Sequence, residues 1–582
     1  MRRIFSEKLF PALWLAVTLS TLHAQKTSLS SWWPQQKKPN GYVTGAPSGS
    51  PNEKILLQAL AGLAAQAVNE GRGDELVWMN GGGCYDEWKK RTEARLPLQD
   101  RGAFDVWKLL DRYRASGLVK GYIVYSADAS PGAAHAKRDN ADLSLNVATT
   151  LAGITGAVPV EASLESRLTA LGLPKLADAR KQTPDAVLKH YGAKFNRKAI
   201  ALLDPKVPNM RDFAIAHRCF VDFMTDGATT AGLAWAEPLA PVVGWACGDE
   251  FKNVAPLSRA AHFHTASNWA SEIPFLSAGS DLYQSRRIRT CDPRTINFQE
   301  TRQSLAFLMS DGDNLCWMLG GFQQTDPKKQ NTAVFWDSPQ HGKFPMGWSA
   351  ALGDLVDVSP VTIDRLAETQ PPRTSITQFG GGYFYPDHFA ADDPAHRDAL
   401  LRKHAQRIAA QMRRTGAVTL TFICEKSDSA PAQQAMRIFA EEIHPLVGML
   451  VMDYAPYHRM GGQIFWVSDG RGGAVPAVTA RYAMWAGMKR PSAGGPSEVA
   501  TAANQDSNTP SDGAWVAVHA WSRFDNGEGA PPLRGLDAVA KCVSLLDPTK
   551  IHVVTPEEML WRVRYRHDPK GTQKWIAQWT KN

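Results

Sequence analysis

The sequence is poor in the features that mark several protein classes. Its seven cysteines among 582 residues show no CxxC or zinc-knuckle spacing, which argues against a structural zinc fold. The HExxH, GxSxG and Walker motifs are missing, and with them the signals for zinc proteases, α/β-class serine hydrolases and P-loop nucleotide binding. The net charge of +8 is spread thinly, without a dense Lys/Arg block, so nucleic-acid binding is not expected.

Long apolar runs are missing after the N-terminus. The one such run, Leu9–Leu22, is too short to span a bilayer comfortably; basic residues precede it, and a small-residue cleavage site at His23-Ala24 follows. This pattern predicts a signal peptide at residues 1–24 and a secreted or periplasmic protein without stable membrane insertion. A short membrane anchor is the alternative. In an exported chain, the scattered cysteines predict at most one or two disulfides.

The chain is long and contains many tryptophans. A sequence of 582 residues is too long for one core, and its 44% hydrophobic and 21% charged residues are typical of a globular protein. The nineteen tryptophans supply core mass and candidate surfaces for stacking against sugar rings.

Strand and helix patterns alternate through the first half of the chain. Glu75–Met79 and Gly121–Tyr125 have the pattern of buried strands, and Trp107–Arg114 lies between them with a helical pattern. The alternation predicts α/β architecture. We expect a loose leader at 25–52 followed by three small α/β domains, at residues 53–135, 136–205 and 206–290.

From residue 291 to 582 the chain becomes a series of short apolar strands, most of which end in acidic or aromatic residues. Parallel strands separated by helices, with polar residues at their C-terminal ends, favour a TIM-like β/α barrel of about seven or eight strands. An open doubly wound sheet is the alternative. The carboxylates at these predicted strand ends are Asp311, Asp313, Glu425, Asp453 and Asp469.

The segment Gly380–Pro386, with the sequence GGGYFYP, follows one of these strands. Its three glycines remove the side chains that would keep a ligand away from the backbone. Tyr383 and Tyr385 supply flat apolar faces with hydroxyl tips, a combination that suits a sugar. We therefore expect this segment to form one wall of a carbohydrate site.

The same segment matches the GxGYxYP pattern, and the chain resembles the GxGYxYP putative glycoside hydrolase family. A string like Ser310–Asn314 (SDGDN) recurs in that family, and a string like Gly347–Ser349 (GWS) precedes the tyrosine motif there. The resemblance implies an exported multidomain protein with a barrel-like C-terminal region and sugar-processing activity. The first variable position of the signature is glycine here, a choice expected to loosen the loop.

The predicted function is cleavage of a glycosidic bond by two strand-end carboxyl groups, a reaction that needs no cofactor or metal. Asp311 and Asp313 are the first candidates, with Glu425 or Asp453 as the partner. The resemblance places Glu250 near the end of the family's N-terminal region, within reach of the site. The predicted substrate-binding residues are Tyr383, Tyr385, Trp348, Trp521, His519, Asn314 and Glu250.

Two other functions fit the same residues. A metal-dependent carbohydrate deacetylase would hold a divalent ion with Asp311, Asp313 and a histidine such as His519, although the usual paired-histidine motif is missing. A non-catalytic carbohydrate-binding protein would keep the aromatic residues without a competent acid pair. Each acidic residue also has a structural interpretation, for example Asp311–Asn314 as a turn that caps the next helix.

Overall fold

The fold is that of a computed structural model, which describes residues 31–46, 49–127, 141–223, 231–245, 248–324, 333–507 and 513–579. The predicted signal peptide and part of the predicted leader lie outside the described residues. No helix within the described ranges is long and apolar enough to cross a membrane. No disulfide joins two of the described cysteines.

The helices and strands are numbered in chain order. The helices are α1 Pro51–Asn69, α2 Cys84–Arg95, α3 Val106–Ala115, α4 Ser144–Thr155, α5 Glu165–Ala170, α6 Pro184–Tyr191, α7 Arg211–Ala216, α8 Ala231–Trp235, α9 Glu250–Arg259, α10 Ile273–Leu276, α11 Leu315–Leu319, α12 Leu352–Val358, α13 Pro360–Thr369, α14 Arg397–Thr415, α15 Ala430–Glu442, α16 Pro496–Asp506, α17 Gly535–Ser544, α18 Pro556–His567 and α19 Pro569–Gln578. The strands are β1 Gly41–Gly45, β2 Glu75–Trp78, β3 Gln99–Phe104, β4 Gly121–Tyr125, β5 Ala157–Glu161, β6 Lys175–Asp178, β7 Ile200–Leu202, β8 Phe220–Asp222, β9 Pro241–Gly244, β10 Phe263–Ala266, β11 Gln303–Met309, β12 Met346–Ala350, β13 Thr374–Phe379, β14 Thr419–Cys424, β15 Gly448–Asp453, β16 Ile464–Ser468, β17 Ala474–Thr479, β18 Tyr482–Met484, β19 Ala493–Gly494, β20 Ala514–Val518, β21 Arg523–Phe524, β22 Leu533–Arg534 and β23 Ile551–Val554.

Three small parallel sheets precede residue 290. Their strand orders are β2-β1-β3, β5-β4-β6 and β10-β9-β7-β8. Strands β4 and β7 pair with strands that follow them in the chain, so the predicted boundaries near residues 135 and 205 fall inside the second and third sheets. Parallel pairing requires a crossover between strands, and helices such as α4 and α9 supply it.

The C-terminal region is built on one sheet with the order β16-β17-β15-β14-β13-β12-β11-β20-β18-β19, and β23 pairs with β11 beside this path. All of its pairs are parallel except β16 with β17 at one edge. The carboxyl ends of the parallel strands therefore share one edge of the sheet. The segments that follow β11, β13, β18 and β20 emerge there.

This sheet curls round on itself. Only Ala480 and Arg481 separate β17 from β18, and they can span about 11 Å. In the ladder, however, six strands lie between β17 and β18, so a flat sheet would hold these two strands about 34 Å apart. The backbone N–H of Ala480 donates to Val451 on one side, and that of Arg481 donates to Trp515 on the other. The part of the sheet that contains β15 and β17 thus lies next to the part that contains β18 and β20.

The predicted mixed α/β multidomain architecture is confirmed. The C-terminal sheet curves like the wall of a barrel, but eleven short strands of the described residues contribute to it. A TIM-like barrel of seven or eight strands stays a prediction. The loops that carry the predicted strand-end residues lie along the edge of this sheet where its parallel strands end.

Candidate functional site

The glycines of Gly380–Pro386, called the signature segment below, are required by packing within the protein. A Cβ on Gly380 (φ +42°) would lie 2.5 Å from the carbonyl oxygen of Gly382, and one on Gly382 (φ +80°) would lie 2.3 Å from Phe263. A Cβ on Gly381 would lie 2.4 Å from Nε2 of His404, which is hydrogen-bonded to the Gly381 carbonyl. Protein atoms occupy the space that the sequence pattern suggested for a ligand, and the extra glycine tightens the loop.

The signature segment joins the third small sheet to the large one. Tyr383 exchanges two backbone hydrogen bonds with His264 of β10, at 2.7 and 2.8 Å. Gly380 donates its N–H to Thr421 of β14 at 2.7 Å. These bonds fix Tyr383 between the two sheets, and its ring is almost completely buried.

Helix α9 is docked on the same segment and brings Glu250 to it. Asp249 caps the helix by accepting from the Lys252 N–H at 2.9 Å, so Glu250 is the first helical residue. Near the other end of the helix, Ser258 Oγ accepts from the Tyr385 N–H at 3.0 Å. The helix thereby holds Glu250 beside the hydroxyl of Tyr383.

The Tyr383 hydroxyl donates a short hydrogen bond to Oε1 of Glu250, and the hydroxyls of Tyr383 and Tyr385 are 3.2 Å apart. Burial raises the pKa of Tyr383 well above its usual value, so the phenol keeps its proton. Burial, with a further contribution from the negative charge of Asp311, raises the pKa of Glu250 to about 7, and the Tyr383 bond partly opposes this rise. Glu250 is therefore poised to carry an exchangeable proton near neutral pH.

The loop after β11 brings two more carboxyl groups to the site. Asp311 has a left-handed backbone (φ +66°), unusual for a residue other than glycine. Gly312 packs on β12, where a Cβ would lie 2.3 Å from the Ser349 carbonyl carbon, and its N–H donates to Ser349 Oγ at 3.0 Å. Ser349 in turn donates to the Met309 carbonyl at 2.9 Å. These contacts fix the position of Gly312 and therefore of Asp311 and Asp313 on either side of it.

Glu250, Asp311 and Asp313 form what is called the carboxylate cluster below. Burial raises the pKa of Asp313 well above its usual value, and the negative charges of Asp311 and Glu250 raise it further. All three residues are partly exposed at the surface of the protein. Burial and the neighbouring negative charges therefore favour the protonated forms of Asp313 and, near neutral pH, of Glu250.

Asp311 is surrounded by hydrogen-bond donors. Trp521 donates its indole N–H to Oδ1 at 2.7 Å, and Oδ2 accepts from the Ser310 hydroxyl and, at 3.4 Å, from the Ala520 N–H. The indole of Trp521 is 42% exposed, an unusual fraction for such a large apolar ring. It combines an open aromatic face with a fixed position beside a carboxylate, as a sugar platform requires.

Further aromatic side chains enclose the cluster, and sequence reasoning missed two of them. Tyr457 is buried, and the charges of Asp311 and Glu250 contribute to the rise in its pKa. Trp485 stacks on His519 at 4.1 Å and contacts Tyr457 at 4.9 Å. Both lie shortly after strands, on the edge where the parallel strands end. Their position after a strand could have identified them from the sequence. They were missed because the strand ends were chosen by their acidic residues, and neither Tyr457 nor Trp485 is next to one.

Two predicted substrate-binding residues, Trp348 and Asn314, are engaged within the protein, and a third, His519, lies near the cluster. Trp348 is fully buried among Phe322, Trp336 and His341, and a ring without an exposed face offers no stacking surface. Asn314 caps α11 by accepting from the Trp317 N–H at 2.9 Å, so its Oδ1 is already engaged. His519 lies near the cluster, with its Nδ1 2.9 Å from Ser522 Oγ, and burial lowers its pKa.

The two predicted partner carboxylates do not join the cluster. Asp453 is fully buried and accepts from both the N–H and the hydroxyl of Ser427, with Arg459 3.3 Å away, so it serves to hold a loop. Glu425 pairs with His388 at 2.7 Å. The carboxyl group that completes the cluster is Glu250, for which the sequence suggested only a substrate contact.

The side chains that could bind a metal ion are not the ones predicted for a deacetylase. Within the described residues, a group of three with ligand atoms mutually within 4.8 Å occurs at Asp387, His388 and Glu425. Asp311, Asp313 and His519 do not form such a group. The arrangement that a metal-dependent deacetylase would need at these three residues is therefore not present in the part of the chain described.

Two domain matches show the family of this chain. Residues 302–564 match the GxGYxYP putative glycoside hydrolase C-terminal domain, and residues 119–195 match the GxGYxYP_N second domain. Together the matched segments span more than half of the sequence, and the chain belongs to the GxGYxYP putative glycoside hydrolase family. The second match coincides with the β5-β4-β6 sheet.

The fold is similar to that of a solved protein. A crystal structure of a putative hydrolase from Bacteroides thetaiotaomicron VPI-5482 superimposes with a TM-score of 0.73 and 20% sequence identity. The similarity covers 92% of this chain and 97% of that one, so the domain arrangement is shared over nearly the whole length. No curated protein matches the sequence.

Proposed function

We propose that the protein is an exported glycoside hydrolase that cleaves O-glycosidic bonds at the carboxylate cluster. One observation carries the proposal: Glu250, with its pKa raised to about 7, shares a solvent-accessible site with Asp311 and the half-exposed Trp521. Glycoside cleavage needs a proton donor and a second carboxyl group, which Glu250 and Asp311 would supply. Trp521 would supply an aromatic surface that holds the sugar. Membership of the GxGYxYP family agrees with a hydrolase, and so does the fold shared with the putative hydrolase from Bacteroides thetaiotaomicron.

In the proposed reaction, protonated Glu250 gives its proton to the glycosidic oxygen as the bond from that oxygen to the anomeric carbon breaks. Asp311 faces the positive charge that develops on the sugar, and acts as nucleophile or as base on a water molecule. Asp313 keeps a proton through burial and through repulsion by its neighbours, and it donates a hydrogen bond to a sugar hydroxyl. Trp521 stacks on the ring and holds Asp311 in place.

The first experiment is a screen of the purified protein against a panel of oligosaccharides and polysaccharides, followed by variants on the best substrate. Asp311→Asn and Glu250→Gln are expected to lower kcat/KM by about 10²–10⁴-fold, the usual contribution of a positioned acid or base. Binding of the same sugar, measured by calorimetry, should persist because the aromatic surfaces remain.

Asp469→Asn is the control for these variants. Asp469 is also a predicted strand-end carboxylate, but it accepts from the N–H groups of Arg471 and Gly473 in an exposed turn. Its substitution should leave kcat/KM unchanged. Full turnover by both Asp311→Asn and Glu250→Gln would overturn the assignment, and sugar binding without turnover in the wild-type protein would identify a binding protein instead.

A further inference from the structure

Beside the carboxylate cluster, the turn that follows the signature segment carries a second group of polar side chains. Asp387 and His388 come directly after Pro386, and Glu425 directly follows β14. The three side chains each offer a ligand atom, and these atoms lie within 4.8 Å of one another. They are half-buried, so the group is held in place but remains open to solvent.

The backbone fixes Asp387 in this group. Its Oδ1 accepts from the N–H of Glu425 at 3.2 Å and its Oδ2 from the N–H of Lys426 at 2.9 Å. A carboxylate oxygen can accept two bonds, so the Asp387 side chain keeps lone-pair capacity beyond these two bonds. Carboxylates that bind metals are commonly oriented by such hydrogen bonds. The peptide after β14 thus orients Asp387 before any ligand arrives.

His388 and Glu425 complete a donor set of one imidazole and two carboxylates. His388 Nε2 lies 2.7 Å from Glu425 Oε2. Two ligands bound at about 2.1 Å and at right angles are about 3 Å apart, so the pair needs little movement to share an ion. Imidazole favours first-row transition ions over Mg²⁺ and Ca²⁺, while the two carboxylates suit Mn²⁺ and Zn²⁺.

We propose that Asp387, His388 and Glu425 bind a divalent transition-metal ion such as Mn²⁺ or Zn²⁺. The His388 ring lies 6.0 Å from the ring of Tyr385 and 5.6 Å from that of Phe251, so the ion sits next to the residues that carry the carboxylate cluster. Three protein ligands leave coordination positions for water or for an oxygen-rich solute. The site is a binding site in its own right and does not depend on glycoside cleavage.

A nearby pair provides the matched control. His396 Nδ1 lies 2.8 and 2.9 Å from the two carboxylate oxygens of Asp393, and both residues are within nine positions of Asp387 and His388 in the chain. These side chains are 71% and 53% exposed and belong to no group of three ligands among the described residues. They repeat the histidine–carboxylate chemistry without the third donor.

The test uses the full-length protein after dialysis against a chelator. Titration with Mn²⁺, followed by electron paramagnetic resonance, and with Zn²⁺, followed by calorimetry, should show one ion bound per chain. Glu425→Gln and His388→Gln are expected to weaken binding at least tenfold, whereas Asp393→Asn should leave it unchanged. Near-ultraviolet circular dichroism of the metal-free proteins checks that the variants are folded.

The spectrum of the wild-type protein provides a second measurement that needs no variant. Bound Mn²⁺ should show electron spin-echo modulation from one histidine nitrogen. Lack of a saturable 1:1 complex, lack of the nitrogen signal, or equal losses in Asp393→Asn and Glu425→Gln would each overturn the proposal. In that case His388 and Glu425 form a hydrogen-bonded pair only, and the carboxylate cluster is unaffected.

Discussion

The hydroxyl of Tyr383 connects the signature segment to the proposed chemistry. It donates to Glu250 Oε1 and so favours the ionised form of that carboxyl group, which holds the pKa of Glu250 lower than burial alone would. Both signature tyrosines are almost fully buried. Their role in this account is to orient and tune Glu250, and Trp521 takes the role of the sugar platform.

Replacing Tyr383 by Phe should shift the pH dependence of activity. Without the donor, the pKa of Glu250 rises above about 7, the acid stays protonated to higher pH, and the basic limb of the kcat/KM profile moves upward by roughly one unit. A pH–rate profile measures this shift. Tyr482→Phe is the control, because it removes a 2.9 Å hydroxyl–carboxylate bond to Asp506, away from the site. An unshifted limb in Tyr383→Phe would disprove the coupling.

Asp313 should tolerate an amide better than an apolar side chain. If Asp313 donates a hydrogen bond from a protonated carboxyl group, Asn can also donate, so Asp313→Asn should lower kcat/KM by less than about tenfold. Asp313→Ala removes the donor and should lower kcat/KM further. Steady-state kinetics of the two variants decide the point, and an equally large loss in both would show that Asp313 acts as an ionised catalytic group.

Sequence reasoning identified Asp311 and Asp313 because the end of a strand is visible as a change from apolar to acidic residues. It selected Glu425 and Asp453 by the same pattern, but the pattern does not show which strand-end side chains meet. The hydrogen bond that places Glu250 joins residues 133 positions apart. Such a contact depends on how the third small sheet packs against the large one, and no local periodicity records that.

Among the structural elements, the signature segment is the most tightly constrained. It pairs with β10 and β14 and packs against α9 and α14. The strand before it, Thr374–Phe379, could be predicted from the sequence, because its β-branched residues are a local signal. The reason for its glycines was not predictable, since the atoms that fill their space belong to distant residues such as Phe263 and His404.

The substitution Gly381→Ala should therefore destabilise the protein. The new Cβ would lie 2.4 Å from His404 Nε2 and 2.8 Å from Ile408, in a helix that cannot move away freely. Overpacking of this kind typically costs about 1–3 kcal/mol. Thermal unfolding measures the effect, with Gly49→Ala as the control because nothing lies within 4 Å of that Cβ. Equal melting temperatures for the two variants would contradict the packing account.

For the whole molecule, buried carboxyl groups set the pH dependence of stability. Burial raises the pKa of Glu272 and of Glu557 to about 8, so the folded chain keeps protons that the unfolded chain has already lost. Stability therefore falls as pH rises toward 8. Buried histidines such as His217 and His341, with pKa lowered to about 4, act in the opposite direction only below about pH 6.5.

The melting temperature should fall as the pH rises from 6.5 to 8, and this decrease should be smaller in Glu557→Gln. Each such group contributes up to about 2 kcal/mol over this interval. Gln keeps the acceptor that binds the Cys291 N–H at 3.0 Å. The exposed Glu528→Gln serves as the control and should leave the slope unchanged. A melting temperature that stays constant or rises from pH 6.5 to 8 in the wild type would contradict this account.

At the same scale, the α/β class and the series of strands could be predicted from periodicity, whereas the curl of the sheet could not. It depends on the two residues between β17 and β18, Ala480 and Arg481, and neither is a residue such as Gly or Pro that marks a turn in a sequence. The curl matters for the site because it brings the loop after β15, with Tyr457, beside the loop after β18, with Trp485, although five strands separate β15 from β18 in the ladder.

The most direct test of the central claim is the activity of Glu250→Gln on glycosides that share one sugar but differ in leaving group. An alkyl leaving group needs the proton of Glu250, so kcat/KM should fall by about 10²–10⁴-fold; a dinitrophenyl group leaves without help, and activity should stay near that of the wild type. Asp311→Asn should be impaired on both substrates. An equal loss on both substrates for Glu250→Gln, or no loss on either, would contradict its assignment as the acid.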